Sequence, residues 1–189
     1  MIIYLHGFNS APSSYKARKL AAFLEQRGFG SQFVCPALPH HPNETIALIE
    51  GLLEMQDKRN LTFIGSSLGG FYATWLAEKH ACRAILIQPA VFPHVGLEQY
   101  LGAQKNLYTG AEYELTRDHL QGWRDLFVEK VDPERYLLLL ETGDEVLDYR
   151  DAVRKYEGAR MAIREGGDHM LQSFPEHIPR MLRFVGLTC

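Results

Sequence analysis

Short apolar runs alternate with amphipathic stretches along most of the chain. Ile2-Ile3-Tyr4-Leu5 is an apolar run of strand length, the pattern of a strand covered on both faces. A turn-rich stretch, residues 7–14, follows, and Ser13 or Ser14 stands where a helix N-cap is needed. In the helix this predicts, Ala17, Leu20, Ala21 and Leu24 recur at i, i+3, i+4 and i+7 and form one stripe; Gly28 and Gly30 end it. Residues 32–35 read as a second strand, stopped by Pro36. Past the loop made by Pro39 and Pro42, Asn43 is expected to cap a second helix with Ile46, Ile49 and Leu53 facing inward. Residues 61–64 are a third strand, and residues 68–79 a third helix with Tyr72, Ala73 and Leu76 on one side. A fourth strand, 83–88, is closed by Pro89.

Over residues 89–133 the pattern changes. No strand is expected there, helical patches fit around 96–101 and 117–130, and Phe92, Tyr100, Tyr108, Tyr113, Trp123 and Phe127 crowd the segment. Alternation then resumes: a strongly apolar fifth strand at 136–141, a helix over 148–156, a sixth strand at 160–164 and a closing helix over 175–184. Strands alternating with helices imply parallel βαβ units with helices on both faces of one sheet. The expected fold is therefore α/β and three-layered, with a mainly parallel six-stranded sheet. Residues 1–189 form a single domain in this reading, and 89–133 is an insertion forming a small helical lid. In such sheets the chemistry lies outside the carboxyl ends of the strands, which directs attention to the loops after Leu5, Ile64, Gln88, Glu141 and Arg164.

The loop after the third strand reads Gly65-Ser66-Ser67-Leu68-Gly69, a G-x-S-x-G match between an apolar strand and an amphipathic helix. That context marks the nucleophile elbow of the α/β-hydrolase fold, where a serine on strained backbone is lifted above the sheet. The flanking glycines are needed because a side chain at either place would collide with neighbouring backbone. A phosphate loop is the competing reading, but no lysine follows as that motif requires. A serine hydroxyl needs a base, and the base an orienting group; in this fold the order is serine, acid, histidine. His169, behind Gly166 and Gly167 and past the sixth strand, is the base expected. Asp144, at the end of the fifth strand, is the favoured acid; Asp148 could reach but could equally cap the next helix, and Glu145 is a third candidate. Asp168 is expected to bond local backbone N–H groups. Oxyanion donors are expected from the backbone N–H groups of Leu68, at a helix N-terminus, and Phe8, in the loop after the first strand. His6 is expected to shape that loop, and His40-His41 to belong to a solvated loop rather than a metal site.

Composition narrows the partners. With 20 basic and 23 acidic residues the net charge is −3, which offers no basic stripe for nucleic acid. No apolar window of about 18 residues predicts a membrane span, and the N-terminus lacks the basic region of a signal peptide. Cys35, Cys82 and Cys189 are odd in number and widely spaced, which suggests reduced thiols in a cytoplasmic protein. Neither cofactor nor metal is expected; the partner is a small acyl ester or thioester, and a homodimer is compatible with the sequence. Residues 89–133 hold four Lys/Arg and seven Asp/Glu, which does not favour a polyanionic substrate such as a CoA ester; Lys16, Arg18 and Lys19 are the nearest basic candidates for one. For most of the aromatics in that segment, packing is the expected task, with some left to line an acyl pocket.

Four blocks, IIYLHGFNSAPSSYKARKL, FIGSSLGGFYATWLAEKH, ETGDEVLDYR and GGDHMLQSF, fall in order over nearly the whole chain and together resemble the YqiA-type esterases, a small bacterial branch of the α/β-hydrolases. The resemblance implies an esterase on short acyl esters, with activity on fatty acyl-CoA also attributed to the family. It carries the nucleophile to Ser67, the base to His169 and the acid to Asp144, whose GDEV turn resembles the DxVV turn of related hydrolases. Two other functions fit the same chain: an acyltransferase, in which an alcohol replaces water, and a non-catalytic binding protein on this fold, which should have lost a member of the triad.

Overall fold

The computed structural model describes residues 1–54 and 60–187; Cys189 lies outside the described residues. In chain order the elements are β1 (Ile2–Leu5), α1 (Tyr15–Gln26), β2 (Phe33–Val34), α2 (Pro42–Leu53), β3 (Thr62–Ser66), α3 (Leu68–His80), β4 (Arg83–Ile87), α4 (Pro93–Gly96), β5 (Gly102–Lys105), β6 (Glu112–Leu115), α5 (Arg117–Asp125), β7 (Tyr136–Glu141), α6 (Tyr149–Lys155), β8 (Arg160–Arg164) and α7 (Phe174–Val185). The six strands read from the sequence pair into one sheet in the order β2-β1-β3-β4-β7-β8. Every neighbouring pair in it is parallel.

Strand alternation divides the core into two layers. Ile3, Leu5, Phe63, Leu86, Leu138 and Leu140 point into one, which includes Leu76, Tyr72 and Trp123. Ile2, Tyr4, Ile64, Ile85, Leu137 and Leu139 point into the other, with Leu20, Leu24, Phe174 and Ile178. Runs without polar interruption, such as Leu137 to Leu140, are what a sheet covered on both faces requires. Each such leucine contributes about 1.5–3 kcal/mol by leaving water. The chain passes from β1 outward to β2, then returns to pair β3 on the other flank of β1. This reversal between β1 and β3 is the crevice where ligands bind in open α/β sheets.

The main departure from expectation lies in residues 89–133. Instead of a purely helical lid, this segment contains an antiparallel hairpin, with Gly102 opposite Leu115 and Lys105 opposite Glu112. Its strands, GAQK and EYEL, carry no apolar run because most of their side chains stay in partial or full contact with solvent. The hairpin is held instead by the loop after β1. Leu107 N–H donates to Asn9 O at 3.1 Å, Tyr113 Oη to Asn9 Oδ1 at 2.8 Å and Asn106 Nδ2 to Ser10 O at 2.8 Å. The helices of the segment are shorter than expected: α4 ends at Gly96, a 3-10 turn covers Glu98–Tyr100, and α5 stops at Asp125.

Smaller corrections concern the caps. The α2 cap is His41, not Asn43: Pro42 occupies the first turn, and the Asn43 N–H donates to His41 Nδ1. Ser14 stands at the α1 N-cap, but its hydroxyl makes no capping bond. Asp148 caps α6 by accepting from the Arg150 N–H at 2.9 Å.

Candidate active site

The β3–α3 turn carries Ser67 with φ 54 and ψ −119, a left-handed backbone for a residue with a side chain. Such strain costs about 1–3 kcal/mol and persists only where the surroundings impose it. Here they do. The Ser67 N–H donates to Ile87 O at 3.0 Å, and Ser67 O accepts from Gly70 and Ala90. A Cβ at Gly65 would strike the Gly69 backbone, and one at Gly69 would strike Leu5 O. The two glycines of the motif are therefore demanded by close approach of α3 to β1 and to its own strand. Leu68 follows as the first residue of α3, where helix N–H groups lack intrahelical acceptors.

His6, in the loop opposite, shapes the backbone as expected. Its Nε2 accepts from the Leu38 N–H at 3.1 Å, which leaves Nδ1 to donate to Gly7 O at 3.1 Å. Acceptance at Nε2 needs a neutral ring, and burial pushes the His6 pKa down.

The loops after β7 and β8 meet over the sheet edge. Gly143 N–H donates to Gly166 O at 2.8 Å, and Gly166 N–H to Thr142 Oγ1 at 2.9 Å. That junction brings Asp144 to His169: Nδ1 lies 2.8 Å from Asp144 Oδ2. The other carboxylate oxygen, Oδ1, accepts from the N–H groups of Val146 at 2.9 Å and Leu147 at 2.8 Å. The Asp144 side chain is only 1% exposed. A carboxylate fixed by two backbone donors accepts from the ring, so Nδ1 is the donor in this contact. Glu145 takes a different place, accepting from the His169 N–H at 3.0 Å. Asp148 stays at its cap, and among the described residues no hydrogen bond joins it to the imidazole.

Asp168 departs from expectation. Its carboxylate accepts from the Gln172 side chain rather than from backbone N–H groups, and Oδ1 is buried with no hydrogen-bond partner among the described residues. Its own N–H donates to Glu141 Oε2 at 2.9 Å.

Ser67, Leu68, Phe8 and His169 all line one cavity of about 580 Å³, within the range of small-molecule sites. No direct hydrogen bond joins the Ser67 hydroxyl to His169 among the described residues; such contacts often tighten only with substrate bound. Phe92, Val95, Leu97, Tyr100 and Leu107 form the apolar side of this cavity, and Leu107 is 83% exposed at its mouth. Of the six aromatics noted in the segment, only Phe92 and Tyr100 line it. Trp123 is fully buried and donates to Tyr72 Oη at 2.7 Å, Tyr113 stacks on His40 at 3.8 Å, and Phe127 stacks on Phe92 at 5.7 Å.

Lys16 is not free to meet a substrate anion: it is buried and donates to Met170 O at 3.0 Å. Among the described residues, no cluster of three or more His, Cys, Asp or Glu is arranged to hold a metal, and no helix is long and apolar enough to cross a membrane. His41 pairs with Asp118 at 2.8 Å.

A model of an uncharacterised protein family, UPF0227, matches residues 1–186. The chain belongs to UPF0227. Among UPF0227 relatives, a protein of Citrobacter koseri is 23% identical over 189 residues, covering 99% of each chain. The UPF0227 protein YcfP of Salmonella paratyphi B matches to the same extent, 23% over 189 residues. Family membership thus agrees with the YqiA-type resemblance read from the four sequence blocks.

Solved structures similar to this UPF0227 chain are hydrolases, esterases and lipases, and they establish the α/β-hydrolase fold. A putative hydrolase from Agrobacterium vitis superposes with TM-score 0.71 at 18% identity, covering 97% of this chain and 87% of the other. Est1E from Butyrivibrio proteoclasticus, solved with ferulic acid bound, gives 0.69 at 14%, covering 98% and 89%. A monoacylglycerol lipase from Paleococcus ferrophilus gives 0.69 at 15%, covering 99% and 94%.

The sequence reading named Glu141 and Gln88 only as strand ends and Lys16 only as a basic candidate for a substrate anion; all three are buried polar residues around the histidine loop. A signal existed for one of them: Glu141 ends a strand that is otherwise apolar after Tyr136, and a carboxylate in such a strand needs buried partners.

Proposed function

We propose that this UPF0227 protein is a serine esterase in which Ser67 is the nucleophile, His169 the base and Asp144 the acid. The supporting observation is the His169–Asp144 contact of 2.8 Å, in a chain whose strained Ser67 lines the same cavity as His169. Ser67 Oγ attacks the ester carbonyl while His169 Nε2 takes its proton, and Asp144 stabilises the imidazolium. The N–H groups of Leu68 and Phe8 receive the oxyanion; losing one such donor typically costs about 10²–10³ in rate. His169 then protonates the departing alkoxide, and water repeats the sequence on the acyl-enzyme.

The mostly apolar lining favours uncharged acyl esters. Thioesters can follow the same path, but Asp148 and Asp151 on the cavity wall disfavour a polyphosphate there, and Lys16 is already engaged. Simple esters are therefore the expected substrates ahead of acyl-CoA.

A fluorophosphonate probe should add its mass to Ser67 of the wild type and leave Ser67→Ala unmodified. Folded wild type that takes no label overturns the proposal. p-Nitrophenyl esters from acetate to palmitate would then set the acyl length, and product analysis with added alcohols separates hydrolysis from acyl transfer.

A further inference from the structure

Behind the proposed triad lies a buried polar cluster that the hydrolytic mechanism does not use. Glu141 is the last residue of β7 and is 1% exposed. Its Oε2 accepts from the Asp168 N–H at 2.9 Å. Its Oε1 accepts from the Ser173 N–H at 3.4 Å and from the Ser173 hydroxyl. The two ends of the loop that carries His169 are thus tied to one carboxylate. Ser173 Oγ, donating its O–H to Glu141, can accept from His177 Nε2, 3.2 Å away. The loop packs so closely on Glu141 that a Cβ at Gly167 would collide with the carboxylate.

Gln88, the residue after β4, locks the arrangement from the neighbouring strand end. Its Nε2 donates to Glu141 O at 3.3 Å and to Asp168 O at 3.2 Å, while its Oε1 accepts from the Glu141 N–H at 3.2 Å. Gln88 holds a positive φ of 43 while doing so, which side chains rarely adopt without compensation. Glu141 and Asp144 lie three residues apart. The carboxylate that grips the histidine loop therefore ends β7, and the carboxylate that receives the imidazole follows it in the loop leaving the same strand.

We infer that Glu141 is a positioning residue: by accepting from Asp168 and Ser173 it sets the His169 loop where Nδ1 meets Asp144. The inference rests on the triad reading above. The grip needs an acceptor for the Asp168 N–H and a partner for the Ser173 hydroxyl: glutamine can keep its carbonyl oxygen on the first while its NH2 donates to a reversed Ser173 hydroxyl, and alanine supplies neither.

The test compares Glu141→Ala and Glu141→Gln with wild type. The tautomer of the His169 ring, read from long-range 1H–15N correlations, reports the Asp144 contact without reference to activity. Wild type and Glu141→Gln should hold the proton on Nδ1, and Glu141→Ala should shift towards the Nε2–H form. On p-nitrophenyl butyrate, kcat of Glu141→Ala should fall about 10–100-fold, the scale expected when a reacting group is misplaced by an ångström. Its KM should stay within about threefold, and Glu141→Gln should recover most of kcat. An unchanged tautomer and kcat in Glu141→Ala overturns the inference, as does equal loss in both variants. Should Glu141→Ala fail to fold, Ser173→Ala removes one arm of the grip and must lower kcat; no change overturns the inference. If wild type neither labels nor hydrolyses any ester, the esterase reading fails, and the tautomer comparison still decides the role of Glu141.

Discussion

The serine elbow and the histidine loop occupy two strand ends of the same sheet, yet different forces hold them. At the elbow, backbone meets backbone: Gly65 against Gly69, and Gly69 against Leu5. Ser67 is fixed by main-chain bonds to Ile87, Gly70 and Ala90, and its own side chain plays no part in its placement. The histidine loop is held largely by side chains reaching up from elsewhere: Glu141 from the end of β7, Gln88 from just past β4, Lys16 from α1. Steric placement of the first kind tolerates no added atom. Placement by hydrogen bonds tolerates isosteric exchange so long as each buried donor keeps an acceptor.

The largest effect that would test this contrast is expected on the polar side. Asp144→Asn keeps shape and the Val146 and Leu147 contacts possible, but it no longer selects the Nδ1–H tautomer. A loss of about 10⁴ in kcat is expected, the scale of tautomer errors in such triads. Steady-state kinetics on a p-nitrophenyl ester measures it, and a loss below tenfold would shift the acid role to another carboxylate. Next comes Gly69→Ala. The added methyl must push α3 away from Leu5 O, so a destabilisation of about 1–3 kcal/mol is expected from overpacking, read from urea unfolding, together with loss of fluorophosphonate labelling. Unchanged stability would show that the elbow is looser than its geometry implies.

The smallest effect concerns Lys16. Burial pushes its pKa down to about 8, partly opposed by the carboxylates of Asp168, Asp144 and Glu141. A lowered folded pKa means that the unfolded chain binds the proton more tightly. Wild type should therefore gain stability as pH rises from about 8 towards the ordinary lysine value of 10.5. Lys16→Met, which keeps the stem but removes the titrating group, should lack that gain. At pH 7 its net effect should lie within about 1 kcal/mol, since a charged hydrogen bond and a desolvation cost disappear together. Thermal melts of both proteins at pH 7 and pH 10 check the prediction; parallel melts would remove Lys16 from the support of the histidine loop.

Much of the sheet was legible because its signals are local. Ile2 to Leu5 and Tyr136 to Glu141 are covered on both faces, so burial and strand identity coincide in the residue types themselves. The elbow was legible for a related reason: its glycines and strained serine are needed by backbone only a few residues away, or by the adjoining strand. The hairpin β5–β6 was not, because its stabilising contacts are to Asn9 and Ser10, about a hundred residues earlier. Nothing in GAQK or EYEL announces such a partner.

The sequence by itself determined the strand–helix alternation, the glycine-framed turn at Ser67 and the chain order of serine, acid and histidine. These follow from hydrophobic period and from steric limits that act between near neighbours. Only the tertiary structure decided which of Asp144, Glu145 and Asp148 meets the imidazole, and that Glu141 lies beneath its loop. Directional hydrogen bonds of that kind depend on where separate strand ends converge, and chain-local patterns do not encode it.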